Sequence, residues 1–146
     1  MNDVHIVLGS IAIGLDAAAG GWGAWRYFRA EPSLWFWRLL RGAQAAIVAT
    51  VVLGGVLLLL KHKAPDLHYI YGVLPVLVSF IGEQLRLASA QMILDGRGFE
   101  NAAAVGALPE DEQRLVVRSI VLREMGVMAL AAIVMLVLLI RAAGTA

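Results

Sequence analysis

An all-α integral membrane protein, four spans gathered into one bundle, is the fold class that this sequence predicts. Three observations carry that reading. The 146 residues are 60% hydrophobic and only 16% charged, whereas a soluble domain is nearer half apolar and a quarter charged. Mean hydropathy is +0.78. Four separate stretches reach the length of about 20 mostly apolar residues that a helix rising about 1.5 Å per residue needs to cross a bilayer.

The spans are expected at residues 4–27, 36–60, 68–94 and 119–141, in one domain covering residues 1–146. The first opens with MNDVHIVLG and meets its first arginine only after the apolar run. It lacks the positive start of a secretory signal and is expected to stay as a membrane helix. The second is uncharged from Gly42 to Leu60. The third holds Pro75, which has no N–H and is expected to kink its helix. Residues 95–118 form a longer loop, opened by the turn chemistry of Asp95–Gly98. Within it, LPEDEQ from Leu108 reads as a helix start, with proline at the first position and acidic residues facing the positive helix end. Loops one and two are short, so spans one to three are expected to be antiparallel neighbours.

Basic residues set the expected orientation. Arg26, Arg29, Arg38, Arg41, Arg86, Arg97, Arg114, Arg118 and Arg123 lie by the first and third loops, against Lys61, Lys63 and Arg141 on the other side. Both termini are therefore expected outside, and the 95–118 loop in the cytoplasm of a cell whose plasma membrane the chain crosses. Trp22, Trp25, Trp35 and Trp37 surround the first loop, where their rings would anchor the inner interface.

Other function classes drop out. Net charge is +1 and no cysteine is present, so a field for nucleic acid, disulfides, thiolate catalysis and iron–sulfur ligation are all excluded. No nucleophile elbow, phosphate loop or zinc-protease motif occurs. The sequence does not fix an enzymatic activity, and its partners are expected to be lipid and other membrane subunits or further copies of itself.

Polar residues in a bilayer usually face the bundle interior. The first span aligns His5, Gly9, Ala12, Asp16, Ala19 and Gly23 on one stripe. Such small residues serve close helix packing, or leave room for a flat ligand. The second puts Gln44, Val48, Gly55 and His62 on roughly one face. The third aligns His68, Gly72, Pro75, Ser79, Gly82 or Glu83, and Arg86. By depth these make two layers. His5, His62, Asp66 and His68 collect at the outer ends, while Gln44, Glu83, Arg86, Arg123 and Glu124 lie toward the cytoplasmic half.

For the outer layer three readings stand. Two histidines on different helices can ligate haem iron from both sides. His5 with Gly9 one turn deeper, and His68 with Gly72 one turn deeper, have that form. Lys61, Lys63 or Arg141 would neutralise the propionates. The pattern resembles the four-helix b-type cytochromes and other haem-handling membrane proteins, and that resemblance implies electron transfer at haem b. A divalent metal held by His5, His68 and His62, with Asp66 as an oxygen ligand, is the second reading. Plain interfacial histidines are the third.

The inner layer, Gln44, Glu83, Arg86 and Glu124, is expected to form a buried polar network with Asp16 as a further member. Such a set can carry protons, bind a polar head group or contact a quinone; more often it only satisfies itself. Asp16 has no basic partner within one turn of its own helix. It is paired across helices, protonated, or lining a wet cavity. Three functions follow: a haem-binding redox protein, a non-catalytic subunit or assembly partner of a larger complex, or a small channel or transporter.

Overall fold

A computed structural model describes residues 2–146, with side chains from residue 3 onward. The described chain is helical without strands: α1 (Asn2–Phe28), α2 (Leu34–Leu59), α3 (Asp66–Gly96), the short α4 (Ala102–Val105) and α5 (Glu110–Ala143). Among the described residues, α1, α2, α3 and α5 are the four helices long and apolar enough to cross a membrane. Large apolar side chains such as Val7, Val52, Phe80 and Leu130 face outward along them, as lipid-facing surface does. The end of the bundle that holds the termini is the histidine end, and the opposite one the tryptophan end.

The bundle is organised around α5. This helix packs broadly on both α3 and α1, and α1 packs on α2, while α2 and α3 meet only along a narrow seam. Spans one to three are thus neighbours in sequence order as expected, closely for the first pair and only along the seam for the second. The reason lies in composition. Met125, Met128, Ala129, Ala131, Ala132, Met135, Leu139 and Ala142 cover more than one face of α5 and are all buried. A helix with small and flexible side chains on several faces can take a neighbour on each.

Inward faces can now be compared with the sequence stripes. Ala12, Asp16, Ala19 and Gly23 of α1 are buried, as their spacing predicts. On α3, Pro75 and Gly82 are buried within the expected stripe, Ser89 is buried beyond its end, and the helix runs through Pro75 unbroken. The α2 stripe is a correction. Phe36, Leu40, Ala43, Ile47 and Leu57 are its buried residues, whereas Val48, Gly55 and His62 are exposed. The polar residue Gln44 had been used to set the face. It sits instead at the flank of α2 that borders the α3 seam, one residue off the core-facing row.

Loop chemistry fixes the helix ends. The Ser33 hydroxyl accepts from the Phe36 backbone N–H at 3.3 Å and caps α2, and it also accepts from the Trp22 indole at 2.9 Å. Arg26 pairs with Glu31 at 2.6 Å, and Arg118 of α5 donates to the Ala30 carbonyl at 2.9 Å. The first loop is thus bound to the fourth span as well as to its own helices. Residues 95–118 are less of a loop than expected. α4 is capped by the Asn101 side chain, which accepts from Ala104 N at 3.1 Å. Val105 packs with Leu94 and Val116 in a small apolar cluster. α5 begins at Glu110 with Pro109 as its cap, one position earlier than the proline was placed from sequence.

Candidate functional site

Two polar layers are present, and they differ in kind. At the histidine end, His5 of α1 and His68 of α3 meet with ring centroids 6.0 Å apart and planes tilted by 60°. These rings come together although the residues are far apart in sequence. His68 Nδ1 lies 2.9 Å from the carbonyl oxygen of Ala142 on α5. An imidazole that donates from Nδ1 keeps Nε2 free as a ligand nitrogen, and a backbone carbonyl is a common partner for a metal-bound histidine. His5 Nδ1 is buried and has no hydrogen-bond partner.

The surroundings of His5 explain its place. A Cβ built on Gly54 of α2 would stand 3.1 Å from His5 Cε1, so this glycine admits the ring against α2. One turn deeper, a Cβ on Gly9 would meet only Thr50 Cγ2 at 3.9 Å, and one on Gly72 would meet nothing within 4 Å. A methyl group would thus fit beside both glycines singled out in the sequence, in contact with Thr50 at Gly9 and in open space at Gly72. Gly54 and Thr50 were not singled out; their four-residue spacing on α2 was the available signal.

His62 is elsewhere. It lies exposed in the turn after α2, and no group of three or more His, Cys, Asp or Glu side chains that could hold a metal is found among the described residues. The set His5, His68 and His62, with Asp66, is therefore not assembled. Zinc and similar ions take three or four protein ligands. A pair of imidazoles is instead the complement of a haem, whose macrocycle supplies the remaining donors.

The second layer lies toward the tryptophan end, in the α2–α3 seam. Glu83 is its hub. Its carboxylate accepts from the Arg41 guanidinium, from Gln44 Nε2 at 3.2 Å and from Arg86 Nε at 3.0 Å. Gln44 also donates to Ser79 Oγ at 2.8 Å and accepts from Arg41 at 2.6 Å. Arg86 continues to Glu124 on α5 at 3.5 Å, and its guanidinium stands 5.6 Å from the Trp37 ring centre. Two arginines and two glutamates balance in charge, and three helices are tied at one depth. The expected members Gln44, Glu83, Arg86 and Glu124 are all joined here. Arg41 and Ser79 had been read for orientation and helix face alone, yet Arg41 and Gln44 at i and i+3 mirror Glu83 and Arg86, which was the signal for the pairing.

Asp16 belongs to neither layer. It is fully buried at 0% exposure, and neither carboxyl oxygen has a hydrogen-bond partner. Its expected membership of the Glu83 network is not seen. Arg123, also placed in that layer by depth, lies instead beside an apolar groove of about 380 Å³ between α1 and α5, with Tyr27 and Gly126.

No family model matches the chain, and neither curated proteins nor solved structures gave a match.

Proposed function

We propose that this chain is a small multi-pass protein of the plasma membrane that holds b-type haem near the outer face and serves electron transfer. The observation that carries the reading is the approach of His5 to His68. Metal–nitrogen bonds of about 2 Å on either side of one ion put two imidazole ring centres about 6 Å apart, and these rings stand at 6.0 Å. The unpartnered His5 Nδ1 and the carbonyl beside His68 support it further. His68 is oriented by Ala142, His5 is seated by Gly54, and Gly9 and Gly72 leave room one turn deeper. When bound, the haem iron would exchange single electrons. Lys61, Lys63 and Arg141 supply positive charge at the same end for the propionates.

Expressed with ample haem, the purified protein should show sharp b-type bands on reduction. His68→Ala should abolish them, and His62→Ala should leave them nearly intact, because His62 is exposed and is not grouped with the pair. A colourless protein would end the reading and leave that of a non-catalytic membrane subunit in front.

Orientation is tested separately. The nine-to-three split of basic residues supports an orientation with the first loop inside and the α2–α3 turn outside. Pro32→Cys and Lys63→Cys, both at exposed positions, should react with an impermeant thiol reagent from opposite sides of the membrane. Ser33 is avoided because it caps α2. Labelling of both from one side would refute the assignment.

A further inference from the structure

We infer that Asp16 is an exchangeable proton-binding site at the middle of the bundle, independent of whether haem is held at the histidine end. Asp16 sits mid-way along α1, between the buried Ala12 and Ala19 of the same stripe. The burial is complete, and both carboxyl oxygens lack a partner. A carboxylate in such a place forgoes its hydration without compensation, which is among the costliest arrangements a bundle can hold. A bound proton removes that charge and turns one oxygen into a donor.

Titratable groups are sparse along each of the four long helices. On α1, Asp16 is the only one between His5 and Arg26; on α2 none occurs between Arg41 and Lys61; on α5 none occurs between Glu124 and Arg141. Between His68 and Glu83, α3 has only Tyr69 and Tyr71, which belong to the histidine end. No cation bonds to Asp16, since neither carboxyl oxygen has a partner.

Its depth relates it to both polar layers. A Cβ on Gly42 would touch Leu15 Cδ1 at 3.6 Å, which sets Asp16 near the level of the Arg41–Gln44 turn of α2. Gln44 in turn reaches Ser79 and Glu83. Toward the other end, Ala12, Gly9 and His5 continue the Asp16 stripe over three turns, with the Thr50 side chain beside Gly9. Asp16 is thus close in depth to the Glu83 layer yet bonded to none of its members, and a leucine there would have packed without any such cost.

Infrared spectroscopy of the purified protein in lipid tests this directly. Carbon-13 aspartate labelling assigns aspartate bands, and the other four aspartates, Asp3, Asp66, Asp95 and Asp111, are exposed. At neutral pH we expect an isotope-shifted carboxylic acid C=O band above the amide region. Transfer to D2O should shift it further within minutes to hours, and Asp16→Asn should remove it. Should that variant not fold, the isotope shift in the native protein still decides. Absence of the acid band would show an ionised Asp16 and overturn the inference. A band that never responds to D2O would show a sealed structural acid, and would equally overturn an exchangeable site.

Discussion

Replacing Glu83 by glutamine should lower the thermal stability of the bundle in detergent more than any other single polar change. The Glu83 carboxylate takes hydrogen bonds from Arg41, Gln44 and Arg86, so the neutral amide leaves two guanidinium groups without their shared counter-ion. Breaking a fully buried pair costs about 3–5 kcal/mol. The side chains of Glu83 and Arg86 are each 23% exposed and that of Arg41 50%, so screening and rearrangement of Arg41 bring the expected loss to roughly 2–3 kcal/mol. Arg86→Gln should cost a similar amount, since it strands Glu83 in part and releases Glu124. The double variant Glu83→Gln/Arg86→Gln removes both charges at once. It should lose at least about 1 kcal/mol less than the sum of the singles. Strictly additive losses would show that the two side chains are neighbours without energetic coupling.

Legibility of the fold followed what each signal measures. Hydropathy reports length in the bilayer, and it placed the four spanning helices to within a few residues at most ends. It could not place the start of α5, because the stretch from Glu110 is polar and emerges from the apolar region. Capping chemistry located that start. The stripes of α1 and α3 were readable because one face of each carries small or polar residues that lipid disfavours. The α2 stripe was misread because its core face, Phe36, Leu40, Ala43 and Ile47, is as apolar as its lipid face. Only Gln44 stood out, and it marks the seam with α3. Helix adjacency was beyond sequence for a similar reason. Short loops make α2 and α3 consecutive, but close approach is decided by side-chain volume, and α5 offers more small surface than either.

The candidate sites divide along the same line. The histidines were legible as a pair because helices one and three start at the same end and each carries glycine four residues on. What orients them was not, since the Ala142 carbonyl is backbone and any residue there has one. Network membership was legible for residues that are polar in an apolar setting, Gln44 and Glu83 above all. Arg41 was missed because an arginine near a span end serves topology equally well. Asp16 was recognised as odd, and only packing could show that nothing reaches it.

Gly23→Ala should destabilise the bundle by about 1–3 kcal/mol, the usual cost of forcing extra volume into a packed interior. A Cβ at this position would stand 2.5 Å from two ring carbons of Phe36 and 3.0 Å from the Ala129 Cβ. Neither neighbour yields easily. Phe36 is fully buried near the start of α2, beside the Ser33 cap and edge-on to Trp37 at 5.0 Å. Ala129 has no flexible end, so its Cβ moves only with the α5 backbone. Gly23 is therefore the point at which α1, α2 and α5 converge, and its missing side chain sets their spacing. The same substitution at Gly14 or Gly21, where a Cβ would meet nothing within 4 Å, should instead gain up to about 1 kcal/mol from reduced freedom of the unfolded chain. The contrast in sign separates packing from helix propensity. Phe36→Ala alone should cost about 3–5 kcal/mol by leaving a cavity. Combined with Gly23→Ala it should cost less than the two changes summed, because the new methyl then enters the space the ring has left. Equal losses for Gly23→Ala and Gly21→Ala, measured as midpoints of thermal unfolding in one detergent, would show that α1 does not meet Phe36 as described.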